Sequence, residues 1–258
     1  MRQRRTIPRG LRRGITLRMV APNAVTAMAL CFGLTGVRYG ISGEWERAVL
    51  SILIAGVLDG LDGRIARLLR GESRFGAELD SLSDSIAFGV APALVLYLWS
   101  LNAMPKFGWI FALAHALSCA LRLARFNANI DADVQPHKSA GFLTGVPAPA
   151  GAGLAFVPLY LWLVTGEPLF RQWYVVAPWT AFSAFLMISN IATYSWSALR
   201  LRKRIRLEAI ALAGLLGALL ITDPWPTLLV LCAIYLALIP FGMMSYARVR
   251  RQRAAEAQ

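Results

Sequence analysis

Residues 46–70, ERAVLSILIAGVLDGLDGRIARLLR, and residues 76–101, GAELDSLSDSIAFGVAPALVLYLWSL, are two largely apolar runs, and each carries a pair of aspartates. Either run is long enough for about 30 Å of hydrocarbon, which takes roughly 20 helical residues. Asp59 and Asp62 are three apart and Asp80 and Asp84 four apart, so each pair shares one face of its helix. The short joint between the runs predicts antiparallel neighbours that bring the two pairs together. Carboxylates inside membrane segments are costly and by default mark a functional site.

Outward from these two helices, further apolar runs cover 19–42, 107–128, 143–165, 173–195, 207–222 and 226–246. The 258 residues are 57% apolar and 16% charged, with a mean hydropathy of +0.53, which excludes disorder and argues against a water-soluble domain. Arginine and lysine number 27 against 14 acids. These cations lie between apolar runs rather than on a water-facing surface, so lipid headgroups or a phosphorylated substrate are the expected anions, and nucleic acid is not. With both termini inside, 23 of the 27 cations fall on the cytoplasmic side, and only Arg38, Arg47, Lys106 and Arg171 fall opposite. The fold expected is therefore all-α: a polytopic membrane protein of about eight transmembrane helices with both termini cytoplasmic.

Residues 1–18 form a basic juxtamembrane segment, read as an interfacial helix ahead of a retained first span rather than a cleaved signal peptide. A core of six helices over 19–195 follows, then a basic loop with two further helices over 196–246 and a basic tail over 247–258. The cluster Arg200–Arg206 reads as a topology determinant and lipid anchor. Cys31, Cys119 and Cys232, scattered in apolar runs, read as packing residues. His115 reads as packing and His137 as solvent-facing; neither heads an H-x-K motif pair, which excludes a phospholipase-D-like route.

Four crowded carboxylates repel one another unless protons or cations neutralise them. Two divalent cations balance four such charges, and an all-oxygen shell suits Mg²⁺ or Mn²⁺. The acids lie in the pattern D-x2-D-G-x2-A-R-x8-G-x3-D-x3-D, from Asp59 through Gly63, Ala66, Arg67 and Gly76 to Asp84. Gly63 and Gly76 allow close backbone approach, and Arg67 offers a fork of donors that fits a diphosphate. Pro22-Asn23, early in the first apolar helix, leaves backbone groups free for a ligand or marks the helix start.

That pattern resembles the CDP-alcohol phosphatidyltransferases, and every fixed position is matched. The resemblance implies that Asp59 and Asp80 bridge two metal ions, with Asp62 completing one site and Asp84 the other while serving as general base. It places Gly63, Arg67 and Ser73, with Pro22, Asn23, Ala24 and Val25 of the first helix, against CDP-diacylglycerol, and Thr26 beside them. It also implies a homodimer and an active site on the cytoplasmic side of the inner membrane.

The text from Ser73 to Leu82, Phe88 to Ala93, Arg122 to Asn127 and Gly145 to Ala150 is similar to that of the family's membrane-embedded bacterial phosphatidylserine synthases. It departs at Val146, commonly Leu, and at Ser83, commonly Ala. L-serine is therefore the expected acceptor, with glycerol 3-phosphate, inositol phosphate or choline as alternatives. Arg122 and Arg125, three apart at a cytoplasmic helix end, are candidates for the serine carboxylate or a phosphate, with Asn127 and Lys138 behind them. An ion- or proton-coupled transporter is the reading from another class. It calls for polar groups at several depths of the bilayer, whereas here the acids form one patch beside the cytoplasmic arginines.

Overall fold

The computed structural model describes residues 17–128, 142–194 and 206–256. His137, Lys138, Arg200, Arg202, Lys203, Arg204 and most of the basic segment 1–18 lie outside the described residues. Helix α1 (Leu17–Ile41) turns through Gly43 into α2 (Trp45–Leu69) and packs along it. A second helical stretch runs Arg74–Trp99 in three parts: α3 (Arg74–Asp84), a π turn (Ser85–Val90) and α4 (Ala91–Trp99). Helix α5 (Gly108–Ala128) lies against that π turn and against α4.

The next apolar run departs from one straight helix. It opens as strand β1 (Phe142–Thr144), and helix begins only after Pro147, as α6 (Ala148–Ala155), then bends 42° into α7 (Val157–Thr165). Pro158 in the first turn of α7 has no N–H to continue the ladder of α6, which accounts for the break. Helix α8 (Trp173–Ile188) is followed by strand β2 (Ala192–Tyr194), which pairs antiparallel with β1, Phe142 opposite Tyr194. The described chain is all-helical as expected, apart from this one three-residue ribbon. Helices α9 (Arg206–Thr222) and α10 (Pro224–Glu256) complete the described chain.

Gly145 joins the ribbon to α6. Its φ of +74° is a conformation that favours glycine, and its N–H donates to Ile191 O at 2.7 Å. A Cβ there would come within 2.8 Å of Met187 O and 2.9 Å of Ser189 O, so no larger residue fits.

The burial pattern is that of a bundle in lipid. Small and aromatic residues fill the centre, among them Ala48, Ala55, Ala87, Phe88, Trp99, Phe156 and Tyr160, while Val57, Leu117, Phe185 and Ile221 face outward. Such a continuous apolar exterior needs hydrocarbon around it. By length and composition, four helices can cross a membrane, or five if α6 and α7 form one bent span. Helix α2 is as long, but it carries Asp59, Asp62, Arg64 and Arg67 in its second half.

Candidate active site

The joint between α2 and α3 sets the first piece of the site. Arg70 adopts the left-handed conformation (φ 50°), and Gly71 N–H reaches back to Ala66 O at 2.9 Å, closing the end of α2. Ser73 caps α3: its Oγ accepts from Gly76 N–H at 3.0 Å. The serine hydroxyl proton is thereby left to donate elsewhere. Asn23, on α1, leans over the same turn. A Cβ on Gly76 would lie 2.8 Å from Asn23 Oδ1, so glycine is what lets α1 approach α3.

Within this frame Asp59, Asp62 and Asp80 present carboxylate oxygens that all lie within 4.8 Å of one another. Asp84 is in side-chain contact with Asp59. The two helix-borne pairs expected from sequence therefore do converge. Asp62 is the most enclosed, 5% exposed, and Thr26 Oγ1 donates to its Oδ2 at 2.6 Å. Thr26 has one hydroxyl proton, and the longer 3.2 Å approach to Pro22 O is the weaker use of it. Ser83 Oγ donates to Thr26 O at 3.2 Å, which pins α3 to α1 beneath the acids.

Among the described residues no lysine or arginine pairs with any of the four aspartates; the one ion pair joins Arg47 to Glu44, far along α2. Four oxygen-rich groups this close, with no ion pair to a lysine or arginine among the described residues, form a donor set suited to hard divalent ions.

A cavity of about 500 Å³ opens beside the acids. Of the residues expected at the nucleotide, Pro22, Asn23, Gly63, Arg67 and Ser73 line it, together with Thr26, Asp62 and Asp80. Arg67 is exposed there, with Nε bonded to Gly63 O at 3.1 Å in its own helix. Ala24 is exposed and Val25 half-buried, and neither lines the cavity. Phe126 and Glu72 do line it, and sequence reasoning passed over both. The signal for Phe126 was present, since it lies one turn beyond Arg122 on α5.

The two arginines of α5 have different settings. Arg122 is half-buried, interacts electrostatically with Asp84, and keeps its Nε enclosed without a hydrogen-bond partner. Arg125 reaches the end of α8 instead: Nη1 donates to Ile188 O (3.1 Å) and Asn190 Oδ1 (2.7 Å), and Nη2 to Ser189 O (3.3 Å). A cation on the last carbonyls of a helix stabilises that end. Asn127 Nδ2 donates to Ser81 Oγ at 2.9 Å, a tie between α5 and α3.

Comparison with known proteins gives a consistent assignment. Residues 19–193 match the sequence profile of the CDP-alcohol phosphatidyltransferase family, and residues 204–240 match a second profile, CDP-alcohol phosphatidyltransferase 2. The chain is 37% identical over 238 residues to the CDP-diacylglycerol–serine O-phosphatidyltransferase of Mycobacterium tuberculosis, covering 92% of this chain and 82% of that protein. The protein of the same name in Mycobacterium leprae is 36% identical over 90% of this chain and 77% of its own length. That of Bacillus subtilis is 32% identical over 66% and 87%. With its aspartates converging as the motif requires and most of its length matched, the chain belongs to the CDP-alcohol phosphatidyltransferase family.

Proposed function

We propose that this chain is a multi-pass enzyme of the inner membrane that transfers a phosphatidyl group from CDP-diacylglycerol to the hydroxyl of L-serine, giving phosphatidylserine and CMP. The observation that carries the chemistry is the convergence of Asp59, Asp62 and Asp80 within 4.8 Å, next to a cavity lined by Asn23, Gly63, Arg67 and Ser73. The choice of serine is supported by relatives whose names state that activity. Eight helical stretches among the described residues follow the eight apolar runs. With 23 of 27 cations on one side, this supports eight spans, both termini inside and a cavity facing the cytoplasm. Homodimer formation belongs to the same proposal.

Asp59 and Asp80 would bridge two divalent ions, Mg²⁺ or Mn²⁺, with Asp62 completing one site and Asp84 the other. When bound, such ions neutralise the diphosphate and stabilise the departing phosphate. Arg67 and the Ser73 hydroxyl hold the diphosphate from the cavity wall, while Asn23 and Gly63 give the nucleotide side its close fit. Arg122, which interacts electrostatically with Asp84 and is not tied to a helix end, is the residue assigned to the serine carboxylate, since Arg125 is engaged at α8. The serine oxygen attacks the phosphorus that bears diacylglycerol, its proton passes to the Asp84 carboxylate, and the bond from that phosphorus to CMP breaks.

The test incubates purified protein and CDP-diacylglycerol with serine, glycerol 3-phosphate, inositol phosphate or choline separately, and measures CMP. Serine-dependent release that a chelator stops and Mn²⁺ or Mg²⁺ restores is expected. Release driven by another acceptor overturns the serine assignment, and chelator-resistant release overturns the metal site.

A further inference from the structure

The face of α5 that meets Arg74–Trp99 holds a histidine that no step of the reaction uses. His115 is completely buried, and its Nε2 lies 3.2 Å from Phe88 O, inside the π turn. A carbonyl accepts only, so Nε2 carries the proton. Nδ1 is left enclosed without a partner, which costs stability that an apolar residue of similar size would not forfeit. What the histidine supplies in return is an N–H to Phe88 O. In an α-helix that carbonyl is bonded by the residue four positions on, and here that residue is Pro92, which has no N–H.

The next residue of the turn is clamped by the same helix. A Cβ on Gly89 would lie 3.0 Å from Cys119 Cβ, and Cys119 is one helical turn from His115. One turn further, Arg122 interacts with Asp84, the residue immediately before the π turn.

A π turn holds one residue more than an α turn, so its relaxation rotates the helix on one side against the other by about 100°. The two sides are not equally free to move. In α4, Ala91, Val95, Leu96 and Trp99 are at most 1% exposed, whereas Ser83 is the one buried residue of α3. The rotation would therefore fall on α3 and swing Asp80 and Asp84 away from Asp59 and Asp62.

We infer that His115 is a positioning residue: its hydrogen bond to Phe88 O holds the π turn, and the π turn holds Asp80 and Asp84 in phase with Asp59 and Asp62. This rests on the proposed metal-dependent transfer, so the test reads metal binding as well as turnover. In the purified full-length protein, Mn²⁺ alone is titrated by electron paramagnetic resonance, and serine-dependent CMP release is measured alongside. His115→Leu keeps the volume and removes the donor; it should weaken Mn²⁺ binding at least about tenfold, as loss of an outer-sphere support does, and lower kcat more than it raises KM for CDP-diacylglycerol. His115→Gln offers an N–H again and should recover wild-type Mn²⁺ affinity. Wild-type affinity in His115→Leu overturns the inference. So does weakened affinity in a folded His115→Gln, which decides the matter if the leucine variant does not fold. If the wild type binds Mn²⁺ but transfers to no acceptor, the functional reading fails, while the Mn²⁺ comparison still judges His115.

Discussion

The two ends of the bundle treat charge in opposite ways. At the end where α2 begins, Arg171 is put to use by the fold. Its Nε donates to Trp99 O at 3.0 Å, its guanidinium lies over the rings of Trp45 and Trp162 at 5.7 and 5.8 Å, and its carbonyl accepts from Ser100 Oγ at 2.6 Å. At the other end, the oxygens of three aspartates lie within 4.8 Å of one another, and a fourth contacts Asp59, with no lysine or arginine in an ion pair to any of them among the described residues. A charge whose needs the fold meets is a structural device. A cluster whose needs the fold leaves unmet suits something that arrives, which under the proposed function is ions and a diphosphate.

The sharpest way to break this contrast is at Asp84. Asp84→Asn removes the proposed base and a single metal contact, so kcat should fall by about 10²–10⁴ while binding of CDP-diacylglycerol is retained. Radiolabelled serine incorporation, with equilibrium binding of the nucleotide lipid, measures both. Turnover at the wild-type rate would remove Asp84 from the chemistry.

A smaller effect separates the two arginines of α5. Loss of a hydrogen bond to a charged group is worth about tenfold to a hundredfold, so Arg122→Ala should raise KM for serine by that much and leave KM for CDP-diacylglycerol unchanged. Arg125→Ala should instead lower the unfolding temperature, because it frees the carbonyls of Ile188 and Ser189. If the serine KM moves with Arg125 and not with Arg122, the acceptor side has been misplaced.

These positions also mark how far the sequence could be read. The apolar runs, their order and the facing aspartate pairs follow from hydropathy and from spacings of three and four, which are local properties. The capping of α3 by Ser73 is local too, yet the sequence reading places Ser73 only at the nucleotide. What stayed hidden depends on partners far along the chain. Arg125 meets Asn190 across 65 positions, and Thr26 meets Asp62 across 36. β1 and β2 lie within or beside apolar runs that looked continuous, and their pairing joins Thr144 to Ala192. The π turn after Asp84 is a change of one residue in register, invisible to a period-based reading although Pro92 stands at its edge. Ser83, where the sequence departs from the commoner Ala, is the hydroxyl that ties α3 to α1.

The smallest expected effect lies at the opposite end, where the contrast predicts a loss of stability without a loss of chemistry. Arg171→Ala removes one hydrogen bond to Trp99 O and two cation–ring contacts. At a partly exposed site these are worth about 1 kcal/mol together, so the unfolding temperature should drop slightly. The aspartates lie more than three helical turns along α2 from Trp45, and the rigid packing of Val49, Ile52 and Ala55 between them should keep the disturbance local. Serine-dependent CMP release by the folded variant should therefore equal that of the wild type. A variant with unchanged unfolding temperature but reduced release would mean that Arg171 communicates with the acids, and the division between a self-satisfied end and an expectant one would no longer hold.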